Sequence, residues 1–136
     1  MNKKVLFLSD DLRLHTGVAN ITKSIILNTC DSIDWVQMAM GSQSETPSII
    51  DVSESVSKIT GVEDCSVRLY ETFGYGSKVA LRNILNQEEP DAIIHMTDPH
   101  RWDWLYEIEN EIRENIPLLY YHVWDNYPAP QYNGVF

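Results

Sequence analysis

Apolar residues in this chain come in short runs between charged or turn-forming positions, and the runs alternate between two periods. Val5 to Leu8 is a continuous apolar run bounded by charge, the pattern of a strand buried on both faces. From Gly17 the period lengthens. Val18, Ile21 and Ile25 share one helical face, with Ala19, Ile26 and Cys30 beside it. Ile33 to Met40 predicts a second strand with Ile33, Trp35, Gln37 and Ala39 on one face and Asp34, Val36, Met38 and Met40 on the other. Neither face is cleanly polar, so both are expected to be covered. Residues 41–47 turn to Ser, Gln and Glu and read as a loop. Ser48 to Val52 suggests a short strand. Ser53 to Phe73 is acidic and serine-rich and shows a clear pattern only near Val67 to Tyr70, where a strand fits.

From Gly74 the pattern sharpens. Tyr75 to Gln87 carries Ala80, Leu81, Ile84 and Leu85 in a helical stripe that Pro90 ends. Asp91 to Met96 predicts a strand, and Thr97 or Asp98 is suited to cap the next helix, with Pro99 in its first turn. That helix places Leu105, Ile108, Ile112 and Ile116 on one face and spaces Glu109 and Arg113 for an ion pair. Pro117 ends it, and Leu118 to Trp124 predicts the last strand. The order β-α-β, insertion, α-β-α-β predicts an α/β, Rossmann-like three-layer sandwich with a mostly parallel sheet and right-handed crossovers. In such a sheet ligands sit beyond the carboxyl ends of the strands. Three loops are therefore expected on one edge: Ser9 to Gly17, Thr97 to Trp102, and Asp125 to Gln131. They collect His15, Asp98, His100, Arg101, Asp125 and Asn126, while His95 and His122 lie in the strands that feed the last two.

The length of 136 residues fits one domain. The ending, a strand and an edge loop with no further element, is expected of one half of a larger enzyme, and such a half would expose an apolar face and self-associate. A formal net charge of −10 argues against non-specific nucleic-acid binding and against anionic membranes. It leaves phosphorylated small molecules open, because backbone amides at a helix start bind them locally. No apolar run approaches the roughly 20 residues of a membrane span, and the apolar segment after the first lysines is too short for a signal peptide. Cys30 reads as a small buried residue and Cys65, after Glu63 and Asp64, as a surface or turn position. Two lone cysteines suggest free thiols in a cytoplasmic protein.

Gly17 lets a ligand approach the mouth of the first helix, though a turn glycine with no ligand explains it equally. Three glycines at fixed spacing, or a Gly-Lys-Ser or Gly-Lys-Thr, would mark a dinucleotide or triphosphate site, and neither is here. His95, Asp98, His100 and Asp103 read as a metal cluster only if a strand end and a helix start converge, which would make the chain a metal-dependent hydrolase. Asp98 reads equally as a helix cap. His122, among Tyr120, Tyr121 and Trp124, reads as a packed strand histidine. Trp102, Trp104, Tyr120, Tyr121, Trp124 and Tyr127 suit a sugar-stacking wall, although core packing explains most of them.

The opening from Lys4 through Asp10, with His15-Thr16-Gly17-Val18-Ala19 entering a helix, resembles the N-terminal half of the retaining GT-B glycosyltransferases of bacterial and phage type. Tyr75-Gly76, Pro90-Asp91, Thr97-Asp98-Pro99 and the run Tyr121 to Pro128 resemble later landmarks of the same half. The first loop carries one glycine where many relatives carry two or more. The resemblance implies two Rossmann-like domains facing across a cleft, with this chain as the acceptor-binding one and the nucleotide-sugar domain missing. It implies metal-independent transfer with no resident cofactor, from a nucleotide-sugar to an acceptor, the chain alone being inactive. It gives His15, Thr16, Gly17 and Val18 to the donor phosphate, His122 and Asp125 to catalysis, and Asp98, His100, Arg101, Asn126 and Tyr127 to the sugars. The alternative is a free-standing Rossmann-like module that binds a nucleotide or a partner without catalysis.

Overall fold

The computed structural model describes residues 2–42, 48–74, 76–96 and 102–121. In chain order the elements are β1 (Lys3–Asp10), α1 (Gly17–Thr29), β2 (Ile33–Ser42), β3 (Ile49–Asp51), α2 (Ser53–Thr60), β4 (Val67–Phe73), α3 (Lys78–Glu88), β5 (Ala92–Met96), α4 (Asp103–Tyr106), α5 (Glu109–Arg113) and β6 (Leu118–Tyr121). They build a six-stranded sheet in the order β3-β4-β2-β1-β5-β6. Every pairing is parallel except that of β3 with β4.

The period-2 alternation of the strands sorts the core onto both faces. Val5, Phe7, Trp35, Ala39, Val67 and Leu69 pack with Ile26 of α1 and Val56 of α2. Leu6, Leu8, Val36, Met38, Met40 and Ile93 pack with Leu81 and Ile84 of α3, Leu105 of α4 and Ile112 of α5. The sheet grows one way through β2 and β4, then the other way through β5 and β6. The helices change face at that reversal, which a single crossover hand requires. The result is an α/β sandwich consistent with a Rossmann-like fold, and the strand order switches direction between β1 and β5.

Several expectations need correction. The inner face of α1 is Ala19, Thr22 and Ile26, while Val18, Ile21 and Ile25 flank it half-buried. The helix is rotated because Thr22 has a polar partner beneath it, described below. Residues 53–60 form a helix that periodicity does not reveal, since Val56 is its one buried residue and Ile59 is exposed. Cys65 is buried, its sulfur 3.1 Å from the Ser57 hydroxyl and 3.3 Å from the Ser53 carbonyl. The helix expected from Tyr75 starts at Lys78, where the Ser77 hydroxyl accepts from the Ala80 amide at 3.2 Å. The apolar stripe after residue 102 spans two short helices instead of one, yet Leu105, Ile108 and Ile112 still reach the core. Among the described residues no helix is long and apolar enough to cross a membrane.

The amino edge of the sheet is stapled by one carboxylate. Glu88, at the end of α3, is buried and accepts from the Arg68 guanidinium, from the Tyr70 hydroxyl at 2.6 Å and from the Lys4 ammonium at 3.2 Å. Burial works against its charge, but these hydrogen bonds outweigh it and hold the carboxyl down at about 2.

Candidate functional site

The carboxyl edge begins where β1 ends. The Asp11 amide donates to the Met40 carbonyl at 3.0 Å, carrying the ladder one residue beyond the strand. The chain then turns: the Arg13 amide donates to Asp11 Oδ1 at 2.8 Å and the Leu14 amide to the Asp11 carbonyl at 2.9 Å. The Arg13 guanidinium folds back on the Asp11 carboxylate, with Nε 3.0 Å and 3.1 Å from its two oxygens. It also reaches Glu71 of β4 at 2.9 Å. The Asp11 hydrogen bond outweighs the cost of burial and, with a further contribution from Glu71, holds Arg13 protonated well above its ordinary range. The same contact from Arg13, helped by the Ser48 amide, pulls the Glu71 carboxyl down.

Thr16 starts α1. Its oxygen accepts from the Ala19 amide at 3.0 Å and its proton goes to Asp10 Oδ2 at 2.8 Å. Among the described residues the Gly17 and Val18 amides have no protein acceptor. Two N–H donors and a carboxylate thus sit together at one helix start, beside the strand-order switch. That combination suits a ligand carrying both hydroxyls and acceptor oxygens. Beside it two carboxylates, Asp11 and Glu71, hold the Arg13 guanidinium.

Of the residues expected to bind a ligand, His15, Thr16 and Gly17 are exposed on this loop and Val18 is half-buried. Asp98, His100, Arg101, His122, Asp125, Asn126 and Tyr127 lie outside the described residues. Asp98 and His100 are also half of the proposed metal cluster, and among the described residues no group of three His, Cys, Asp or Glu is placed to hold a metal. The strands feeding those loops, β5 and β6, run parallel to β1 and open on the same edge. His95, next to last in β5, is buried. Its ring stacks on Tyr120 at 4.5 Å and meets Trp102 and Tyr106 edge-on at 5.3 Å and 5.7 Å. Burial, then the charge of its neighbours, raises the Tyr106 hydroxyl far above its ordinary value. Trp102, Trp104 and Tyr120 belong to the core, and Tyr121 is exposed.

Residue types alone do not reveal Gln37, Ser9, Thr22 and Glu71, which shape this edge. The one signal is a glutamine in the middle of Trp35-Val36-Gln37-Met38-Ala39, a strand covered on both faces. Comparison with known proteins returns no match: no family model, no curated protein and no solved structure is significantly similar to this chain.

Proposed function

We propose that this chain is the acceptor-side domain of a metal-independent, retaining GT-B-type glycosyltransferase, with the loop from Asp11 to Gly17 in the wall that meets nucleotide-sugar and acceptor. Gly17 carries the reading. Its φ is not positive, unlike Gly41, Gly61, Gly74 and Gly76, and a Cβ built on it meets no atom within 4 Å. Neither backbone geometry nor packing calls for glycine at that position, and glycine weakens a helix relative to alanine. Close approach by a molecule outside the fold supplies the missing reason. The site's position supports the same reading, since crevices at a strand-order switch are where open α/β sheets bind ligands. So do the exposed apolar side chains Leu14, Phe73 and Val79 at the same edge. His122 and Asp125 as catalytic groups, and Asp98, His100, Arg101, Asn126 and Tyr127 as sugar contacts, belong to this proposal because their loops follow β5 and β6.

The test is a ¹⁵N-resolved titration of the chain with UDP-glucose and GDP-mannose, then with simple sugars. Shifts gathered at Asp10 to Val18, with Lys4 and Glu88 at the amino edge unmoved, are expected. Absence of shifts for every probe, or shifts gathered at the amino edge, would remove the reading. Transfer is then assayed on a protein that joins this chain to a nucleotide-sugar domain. Binding without transfer there would favour the module without catalysis.

A further inference from the structure

We propose that Gln37 is the positioning residue of the β1–α1 loop, a side chain that acts as an extra rung of backbone and sets the shape of the ligand edge. The link to a ligand rests on the function proposed above; the positioning itself does not. Gln37 lies inside β2, opposite Phe7 of β1, and is fully buried. Its carbonyl oxygen accepts from the Leu12 amide at 3.1 Å. Its amide nitrogen donates to the Asp10 carbonyl at 2.6 Å and to the Ser9 hydroxyl at 2.8 Å. The Leu12 N–H can only donate and the Asp10 carbonyl can only accept, so the two partners fix which way the amide points. Gln37 therefore gives residues 10 and 12 the two hydrogen bonds a neighbouring strand would give, just where β1 ends.

The clasp continues into α1. The Ser9 hydroxyl is also fully buried and lies 3.0 Å from Thr22 Oγ1, which lies 3.0 Å from the Val18 carbonyl. One connected polar path thus joins the loop after β1 to the first turn of α1, through a layer otherwise packed with Phe7, Trp35, Ala39 and Ile26. An apolar residue at position 37 would fill this layer without placing an amide in the core, where an unpaired amide is costly. What glutamine adds is a fixed path for the loop. The Arg13 bridge to Asp11 and Glu71 holds the same loop from outside, and the two restraints bracket Leu12 to Arg13 between β2 and β4. A binding wall held in its working shape before the ligand arrives loses less ordering entropy on binding.

Amide hydrogen exchange on the folded chain tests this directly. Leu12 belongs to no strand or helix, yet its amide is expected to exchange about 100-fold more slowly than that of exposed His15. In Gln37→Met, which keeps an apolar volume in the layer, Leu12 should approach the His15 rate while Leu6 and Phe7 keep theirs. Ser9→Ala is the control, removing one partner of Gln37 while Leu12 stays protected. Fast exchange of Leu12 in the wild type overturns the proposal, and this contrast decides it even if Gln37→Met does not fold. Unchanged Leu12 protection in Gln37→Met also overturns it. With UDP-glucose as the probe, release of the loop should weaken binding about tenfold. Release with unchanged binding overturns the link to a ligand. A wild type that shows no shifts with UDP-glucose, GDP-mannose or the simple sugars sinks the proposed function instead, and the exchange result still decides the clasp.

Discussion

Two charged clusters mark the opposite ends of the sheet, and they are near mirror images. At the amino edge a carboxylate, Glu88, is surrounded by Arg68, Lys4 and the Tyr70 hydroxyl. At the carboxyl edge a guanidinium, Arg13, is held by Asp11 and Glu71. Their burial differs. The Glu88 side chain is 7% exposed and that of Arg13 is 40% exposed. A buried charge with more partners than it needs ties elements together. At the carboxyl edge the guanidinium is the most exposed member of its cluster, so its ion pairs are screened and hold the loop only lightly. The amino edge is thus a fastener, whereas the carboxyl edge is a surface kept open.

The largest expected effect breaks the fastener. Glu88→Ala strands two cations and a phenol that lost their acceptor, and should cost about 3 kcal/mol in urea unfolding, with carboxyl-edge chemical shifts unchanged. The pH dependence follows the same group. Its folded value of about 2 lies below the ordinary 4.5, so its contribution is present above pH 4.5 and is lost as pH falls toward 2. The wild type should lose on the order of 3 kcal/mol across that window, and Glu88→Gln should flatten this part of the curve. A wild-type curve flat through the window would count against the fastener.

A glycine pair sharpens the contrast within the open edge. Gly76 has φ +89, and a Cβ there would lie 2.6 Å from Met38 Cε and 3.1 Å from the Trp104 ring. Gly76→Ala should therefore destabilise by about 2 kcal/mol, read by thermal unfolding. Arg13→Ala should cost less, about 0.5–1 kcal/mol, because its ion pairs are solvent-screened. Gly17→Ala should leave stability within about 0.5 kcal/mol while reducing the nucleotide-sugar shifts. A stability loss comparable to that of Gly76→Ala would make Gly17 a structural glycine and undo the comparison.

The strands were legible because each is an apolar run bounded by turn residues, and β1, β2 and β5 fall within two residues of their expected limits. The parallel sheet followed from their alternation with helical stripes. Helix α2 was illegible because one buried valine in eight residues leaves no periodic signal. Cys65 looked exposed from its acidic neighbours, but the turn through Glu63 and Asp64 places it against α2. The face of α1 was misjudged for a sharper reason: hydrophobicity ranks Val18, Ile21 and Ile25 above Thr22, and only the Ser9–Gln37 path beneath explains why a threonine faces inward. At the site, Thr16 and Gly17 stood out by type and spacing. Gln37 and Glu71 act across strands, from 25 and 58 positions away, and no local pattern announces such partners.

The fastener also sets an order of events. Glu88 meets Tyr70 and Arg68 across 18 and 20 positions but Lys4 across 84, so the cluster closes only after β1, β4 and α3 have all assembled. A chain emerging from the ribosome can complete this lock only once residue 88 is out, whereas the β1–β2 pairing needs nothing beyond residue 42. Contacts made so late contribute little to the folding barrier and much to the unfolding barrier. The Glu88 cluster should govern how long the folded protein survives more than how fast it forms.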